Sequence, residues 1–301
     1  WFTGFSAKRK LPKWRSDTFW RVHDVSSAPS SPREHRPVLD SGPGPIFASR
    51  DATLEAARSG EKTAVLFVDT FNGYFETENA IAAAKVLHAA GYTLHALSKQ
   101  GGQHCCGRTY LAAGMVVQAK AKAGALIEAL LPLAQAGVPI VGLEPSCLLT
   151  LRDEALVMGL GESAQVVAQR ALLFEEFIAR EAAAGRFALK FNAVDQPILL
   201  HGHCHQKAFG VIGSVLDVLR LIPGAKPELI ESSCCGMAGS FGYEASHHAI
   251  SMQMAEANLL PAIRKHTDAI VVADGTSCRH QIADGAQREA VHVARLLEQL
   301  L

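Results

Sequence analysis

The chain has 301 residues, nearly half of them apolar, and a formal net charge of zero. That length suits one large or two medium domains around a sizeable core. Neutrality argues against a nucleic-acid partner, which would need a basic excess against phosphate. No signal peptide opens the chain, and the seven cysteines are an odd number. A disulfide framework is therefore not expected. The chain is read as cytoplasmic or peripheral at a membrane. Because it starts at Trp1 rather than Met, it is also read as a processed product or a fragment of something longer. The most lipid-like stretch, residues 124–143, is interrupted by Pro132, Gly137 and Pro139 and contains Glu128. It reads as a helix end, a turn and a buried strand, not a membrane span.

Residues 1–60 form a basic, Pro- and Ser-rich connector. Lys8, Arg9, Lys10, Lys13, Arg15, Arg21, Arg33 and Arg36 precede a Gly-Pro run at residues 41–45. This segment is either a loosely packed solvated arm or a basic strip docking on another domain. From Ala64 the pattern turns to β-α alternation. Residues 64–68 have the continuous apolar character of a buried parallel strand. Thr77 is placed to cap a helix over residues 78–90, with Gly91 as its stop. Residues 92–97 read as the next strand, followed by the loop that carries Cys105 and Cys106. A long Ala-rich helix over 111–131, a turn and a strand at 140–143 follow, with Cys147 just beyond. Further helices fill the stretch to Arg186, the clearest over residues 165–184.

The second half replays this order. A strand at 198–201 precedes Cys204, and a helix covers about 206–221. A strand at 228–230 precedes Cys234 and Cys235. Another helix, about 247–265, leads to a strand at 269–272, then Cys278 and a terminal helix over 288–301. The fold expected is α/β: two pseudo-symmetric Rossmann-like halves, residues 61–190 and 191–301, with mainly parallel sheets. Each cysteine loop lies just past the carboxyl end of a strand, so right-handed crossovers gather three loops on one side of each sheet.

The cysteine pattern itself is duplicated. Cys105-Cys106-Gly107 and Cys234-Cys235-Gly236 are each followed about 40 residues later by a lone cysteine, Cys147 and Cys278. Only the second half adds a cysteine upstream, Cys204. One cysteine alone is most simply a small buried hydrophobe; the repeated set points to a metal centre. Cys204, Cys234, Cys235 and Cys278 match the ligand count of an iron–sulfur cluster, and adjacent cysteines suit different irons of a cluster better than one compact zinc ion. Gly236 leaves backbone room beside it. Helix N-termini after Cys235 and Cys278, with Lys207 and Arg279, would favour thiolate charge.

Zinc is the competing metal, since His201, His203, Cys204 and His205 are dense and His104 precedes Cys105. Against it, a continued strand would turn the three histidines to one face and Cys204 to the other. In the first half, Phe71 stands where the fourth thiol would be. Cys105, Cys106 and Cys147 could bind a second centre, assist the first or perform thiol redox chemistry. Asp69 and Thr70 could supply an oxygen, but the run 69–72 reads better as a helix start.

The doubled Cys-Cys-Gly signature with its flanking single cysteines resembles the cysteine-rich (CCG) domain family. That family includes the cysteine-rich subunit of heterodisulfide reductase, iron–sulfur subunits of glycolate oxidase and anaerobic glycerol-3-phosphate dehydrogenase, and lactate-utilisation proteins. Residues 66–75 (LFVDTFNGYF), 144–154 (EPSCLLTLRDE), 201–209 (HGHCHQKAF), 232–244 (SSCCGMAGSFGYE) and 273–284 (ADGTSCRHQIAD) look closest to one branch. It is the carboxyl-terminal module of FAD-linked D-2-hydroxyacid (D-lactate-type) dehydrogenases.

The resemblance implies a [4Fe–4S] centre on Cys204, Cys234, Cys235 and Cys278, and less securely a second on Cys105, Cys106 and Cys147. It also implies FAD on a separate domain or subunit, a ferredoxin-like iron–sulfur domain, and a quinone or other carrier as acceptor. The fuller family motif closes with Cys-x-x-Cys, and here Glu144 and Gly275 occupy the earlier position. That departure, with Phe71, weighs against paired clusters and disulfide chemistry. The alternatives are a thiol–disulfide reductase using Cys105 and Cys106, and a zinc-stabilised structural domain.

Overall fold

The computed structural model describes residues 4–22, 46–97 and 104–301. The Gly-Pro run at 41–45, Arg33 and Arg36 lie outside the described residues. The chain divides into two compact units, one of residues 14–177 and one of residues 1–13 with 178–301.

The first unit is built on a four-stranded parallel sheet of β1 (Thr63–Phe67), β2 (Thr93–Ala96), β3 (Ile140–Gly142) and β4 (Ala171–Leu173), in the order β2-β1-β3-β4. All five residues of β1 are buried, as a strand covered on both faces requires. Helix Val116–Gln135 packs Ala119, Ala123, Leu126, Ile127, Leu130 and Leu133 inward at three- and four-residue spacing, the stripe of an amphipathic helix. The second unit holds a three-stranded parallel sheet of β5 (Ile198–Leu200), β6 (Pro227–Leu229) and β7 (Ile270–Val272), in the order β6-β5-β7. The first three strands of each unit thus take the same arrangement, with the earliest strand in the middle. Each half is Rossmann-like α/β, as the alternation indicated. No helix among the described residues is long and apolar enough to cross a membrane.

Several element boundaries differ from expectation for identifiable reasons. Thr77 does not cap; it is the first residue of helix Thr77–Ala89 and is buried, with Glu76 in the cap position and no side-chain capping bond. The long helix expected over 111–131 is two, Arg108–Ala112 and Val116–Gln135, separated at Gly114, whose φ is +74°. The second continues through Pro132 instead of turning there. The apolar run 165–184 conceals β4 between helices Glu162–Ala168 and Phe174–Ala183. Gly210, at φ +68°, splits the helix after Cys204 into Cys204–Ala208 and Ile212–Leu219. Two helices, His248–Glu256 and Leu259–Lys265, replace the single one expected before β7. The terminal helix is shorter than expected, Val293–Gln299.

Part of the basic amino-terminal stretch is firmly seated within the second unit. Phe5 bridges to Glu244, and Ser6 N–H donates to the Tyr243 carbonyl at 2.7 Å. The Arg9 side chain is fully enclosed. Its Nε donates to the Gly242 carbonyl at 2.9 Å, one terminal nitrogen to Ser251 Oγ at 2.9 Å, and the other pairs with Asp284 at 3.3 Å.

Candidate metal centre

In the second unit the three loops leaving β5, β6 and β7 carry all four cysteines. Cys204 opens the helix Cys204–Ala208, Cys234 and Cys235 lie five and six residues past β6, and Cys278 sits in the first turn of helix Thr276–Ala286. The thiols form a continuous chain of sulfur contacts. Cys204 is in hydrogen-bonding reach of Cys234, and Cys235 lies between Cys234 and Cys278 in reach of both. Hydrogen bonding with Cys204 and Cys235 holds Cys234 well below the ordinary thiol value. Cys278 is held well below the ordinary thiol value by the bond with Cys235 and by the nearby His201 and His203 rings, against its own burial. Cys235 and Cys278 are buried, Cys234 is half-buried and Cys204 is exposed.

The Cys-Cys-Gly turn is explained by backbone geometry that both units share. Gly236 has φ +89°, and a Cβ there would lie 2.3 Å from the Ser251 carbonyl oxygen. Gly107 has φ +84°, with the Ala119 carbonyl oxygen 2.5 Å from the same position. Only glycine tolerates both the left-handed turn and the close backbone approach. In return the glycine N–H points back at the first sulfur of each pair, 3.3 Å from Cys234 Sγ and 3.4 Å from Cys105 Sγ. Backbone donors of this kind favour thiolate over thiol.

Groups behind the thiols fix the loops to one another. Gln281 Nε2 donates to the Cys235 carbonyl at 2.8 Å and to the Ser251 carbonyl at 3.0 Å. Ser251 in turn receives Arg9. Gln206 links the Cys204 helix to the Cys278 loop: its Oε1 accepts from His203 N–H at 3.0 Å and its Nε2 donates to Asp274 at 2.9 Å. Asp274, Gln206, Gln281 and Ser251 are all buried. None is evident from composition or spacing, because a buried amide or carboxylate declares its role only through its partners. The position of Gln206 two residues past a candidate ligand, in an N-capping pattern, was the one available sign.

Of the charges expected to tune the site, Lys207 and Arg279 behave differently. Lys207 Nζ donates to the carbonyls of Ser232 and Ser233 beside the cysteine pair. Partial burial lowers its pKa, while all four cysteines act to raise it. Arg279 instead binds the Ala273 carbonyl at 2.8 Å and Thr276 Oγ1 at 3.2 Å, bracing the helix start. A helix does begin beside Cys278, but none follows Cys235; a run of turns leads to the short 3₁₀ segment Phe241–Tyr243.

The histidines are not laid out as a continued strand. β5 stops at Leu200, His203 caps the next helix through Nδ1, which accepts from His205 N–H at 3.1 Å, and the two rings stack. His203, Cys204 and His205 therefore bring ligand atoms within 4.8 Å of one another, as do His201, Cys235 and Cys278. The geometric objection to zinc drawn from strand alternation falls away. Gly275 has a clear reason to be glycine, since a Cβ there would meet the His203 ring at 2.3 Å. A further cysteine does not fit at that position.

The first unit assembles three thiols. Cys105 donates to Cys106, Cys106 to Cys147, and Thr70 donates to Cys105. Asp69 is the cap of helix Thr70–Tyr74, its carboxylate accepting from Phe71 N–H at 2.8 Å and Asn72 N–H at 3.2 Å. The run 69–72 is thus a helix start, as its sequence suggested, while Thr70 also reaches the thiols. Glu144 caps the helix Pro145–Thr150 through Ser146. Cys147 accepts from Cys106, yet burial and the nearby Asp69 and Glu144 charges push it up to about 12. A thiol so raised is a poor nucleophile at neutral pH.

The donor set of the second unit fits an iron–sulfur centre: four thiols from three loops, two of them drawn toward thiolate, with backbone N–H groups aimed at sulfur. Over 273 residues the chain is 27% identical to one of the subunits of the anaerobic glycerol-3-phosphate dehydrogenase of Escherichia coli K12, covering 89% of this chain and 67% of that one. It is 27% identical over 242 residues to D-2-hydroxyglutarate dehydrogenase of Pseudomonas putida, covering 77% of this chain but only 22% of the relative. A D-2-hydroxyglutarate dehydrogenase of Pantoea ananatis is 30% identical over 156 residues, which is 50% of this chain and 14% of that protein. The chain spans about two thirds of the first relative and about a fifth or less of the dehydrogenases. Residues 199–283 match the cysteine-rich domain called CCG. That match falls on the half that carries four thiols rather than three.

Proposed function

We propose that this chain is an electron-transfer module of an oxidoreductase, with a [4Fe–4S] cluster on Cys204, Cys234, Cys235 and Cys278. It serves a FAD-linked D-2-hydroxyacid dehydrogenase of the D-lactate type. The observation that carries the reading is the unbroken sulfur chain of those four residues at the ends of three parallel strands. When bound, the cluster supplies reversible one-electron storage. The protein's part is to present four sulfurs, hold Cys235 and Cys278 away from water, and set backbone and Lys207 charge beside them. FAD and the hydroxyacid belong to a separate domain or subunit, with a ferredoxin-like iron–sulfur domain between, and a quinone or other carrier accepts the electrons. The D-2-hydroxyglutarate and glycerol-3-phosphate dehydrogenase relatives support a dehydrogenase context. The choice of hydroxyacid rests on the sequence resemblance.

The test is the iron, acid-labile sulfide and zinc content of anaerobically purified protein, with its EPR spectrum. About four iron and four sulfide per chain is the expected result, and Cys235→Ser should lose both. About eight of each would load Cys105, Cys106 and Cys147 as well. Zinc without sulfide favours the structural-domain reading, for which the clustering of His203, Cys204 and His205 is the specific support.

A further inference from the structure

Among the groups facing the four thiols, His201 is the one whose ring nitrogen is left over. It is the first residue beyond β5, its backbone N–H donates to the Val272 carbonyl at 2.9 Å, and its side chain is 1% exposed. Nδ1 lies 3.0 Å from Ser232 Oγ. Nε2 is buried and meets the hydrogen-bond geometry of no neighbour among the described residues, while a side-chain contact from His201 reaches the Cys278 thiol. A ring nitrogen of His201 lies within 4.8 Å of the sulfurs of Cys235 and Cys278. A buried ring nitrogen left unmatched costs free energy, so its position beside two ligand sulfurs calls for a partner there.

Which tautomer the ring adopts follows from Ser232. That hydroxyl has two acceptors in reach, His201 Nδ1 at 3.0 Å and the Ile230 carbonyl at 3.5 Å. With the hydroxyl proton directed to Nδ1, the ring proton resides on Nε2. An N–H then faces the sulfurs, of which Cys278 is the one that the His201 side chain reaches.

We propose that His201 is a positioning residue that donates Nε2–H to the Cys278 sulfur of the loaded centre, with Ser232 fixing the tautomer. The inference rests on the cluster assignment above. Its consequence is electrostatic. A donor to ligand sulfur stabilises the more negative, reduced state and raises the reduction potential.

The experiment is a redox titration of the full chain followed by EPR, for wild type, His201→Leu, His201→Gln and Ser232→Ala, with iron and sulfide measured on each. His201→Leu should lower the reduced-to-oxidised ratio at a fixed poise about tenfold, which for one electron is about 59 mV. His201→Gln, which keeps an amide donor, should recover part of that loss. Ser232→Ala frees the tautomer and should shift the ratio the same way by less. Protein labelled with ¹⁵N-histidine should show a weak nitrogen coupling to the reduced centre that His201→Leu removes. A loaded His201→Leu with the wild-type ratio overturns the proposal, as does a strong coupling of the size produced by direct coordination to iron. Should His201→Leu fail to load, Ser232→Ala decides, and a wild-type ratio in that variant overturns it. Wild-type protein without iron and sulfide overturns the cluster assignment, and the role of His201 with it.

Discussion

Arg9→Ala tests whether the amino-terminal stretch is structurally part of the second unit. The guanidinium is fully enclosed and makes three contacts: the Gly242 carbonyl, Ser251 Oγ and Asp284. Truncation leaves the carbonyl and hydroxyl without a donor and Asp284, 17% exposed, without its cation. Breaking one side of a buried charged contact costs about 3–5 kcal/mol, a large part of the roughly 5–15 kcal/mol that holds a domain folded. At about 1.4 kcal/mol per factor of ten, even the lower figure raises local opening by about two orders of magnitude. Hydrogen exchange followed by mass spectrometry over residues 236–251 reads this directly, since Gly242 and Ser251 donate to Met237 and His247 carbonyls there. Exchange in the first unit should not change. Protection in 236–251 within threefold of wild type would refute the argument that Arg9 anchors the loop behind the cysteine pair.

Glycine substitutions separate backbone strain from collision. Gly91→Ala, at φ +84° with open space around it, should cost about 1–2 kcal/mol from the left-handed backbone alone. Gly236→Ala adds a 2.3 Å approach to the Ser251 carbonyl and should cost visibly more in urea unfolding; equal costs would remove the steric account of the Cys-Cys-Gly turn. Burial, with Glu144 nearby, raises Asp69 to about 7 from 3.8. A carboxyl raised in the folded state adds stability below its unfolded pKa and loses it as pH climbs from about 4 through about 7, at most on the order of 4 kcal/mol. Asp69→Asn should flatten that slope in chemical unfolding across pH 4–8, and an unaltered slope would show that the group is not held neutral.

The architecture was legible because its signal is redundant. Apolar runs such as 64–68 and 198–200 recur in the same order in both halves, with the Cys-Cys-Gly turns and lone cysteines at matching offsets, so one misread element does not disturb the frame. What stayed hidden was local or relational. β4 is three residues, Ala171–Leu173, inside an apolar run that suits a helix equally. Thr77 has the chemistry of a cap, yet helix Thr77–Ala89 takes it into its first turn. At the site, the seven thiols announced themselves by spacing. Arg9 and Gln281 act on Cys235 from 226 and 46 residues away in sequence, through Ser251 and a carbonyl. No single-chain pattern encodes such a partnership. Gly275 reads as a missing ligand in the sequence and as a steric requirement of the His203 ring in the structure.

The graded exposure of the four cysteines gives the site a front and a back. Cys235 and Cys278 are shut in, whereas Cys204 stands at the surface and Cys234 partly so. A reagent arriving from solvent, whether an iron donor, molecular oxygen or an alkylating probe, meets Cys204 and Cys234 before the inner pair. Assembly and damage share that approach. A protein damaged from the front would keep its two inner sulfurs and the loops behind them, and so stay in shape to be refilled.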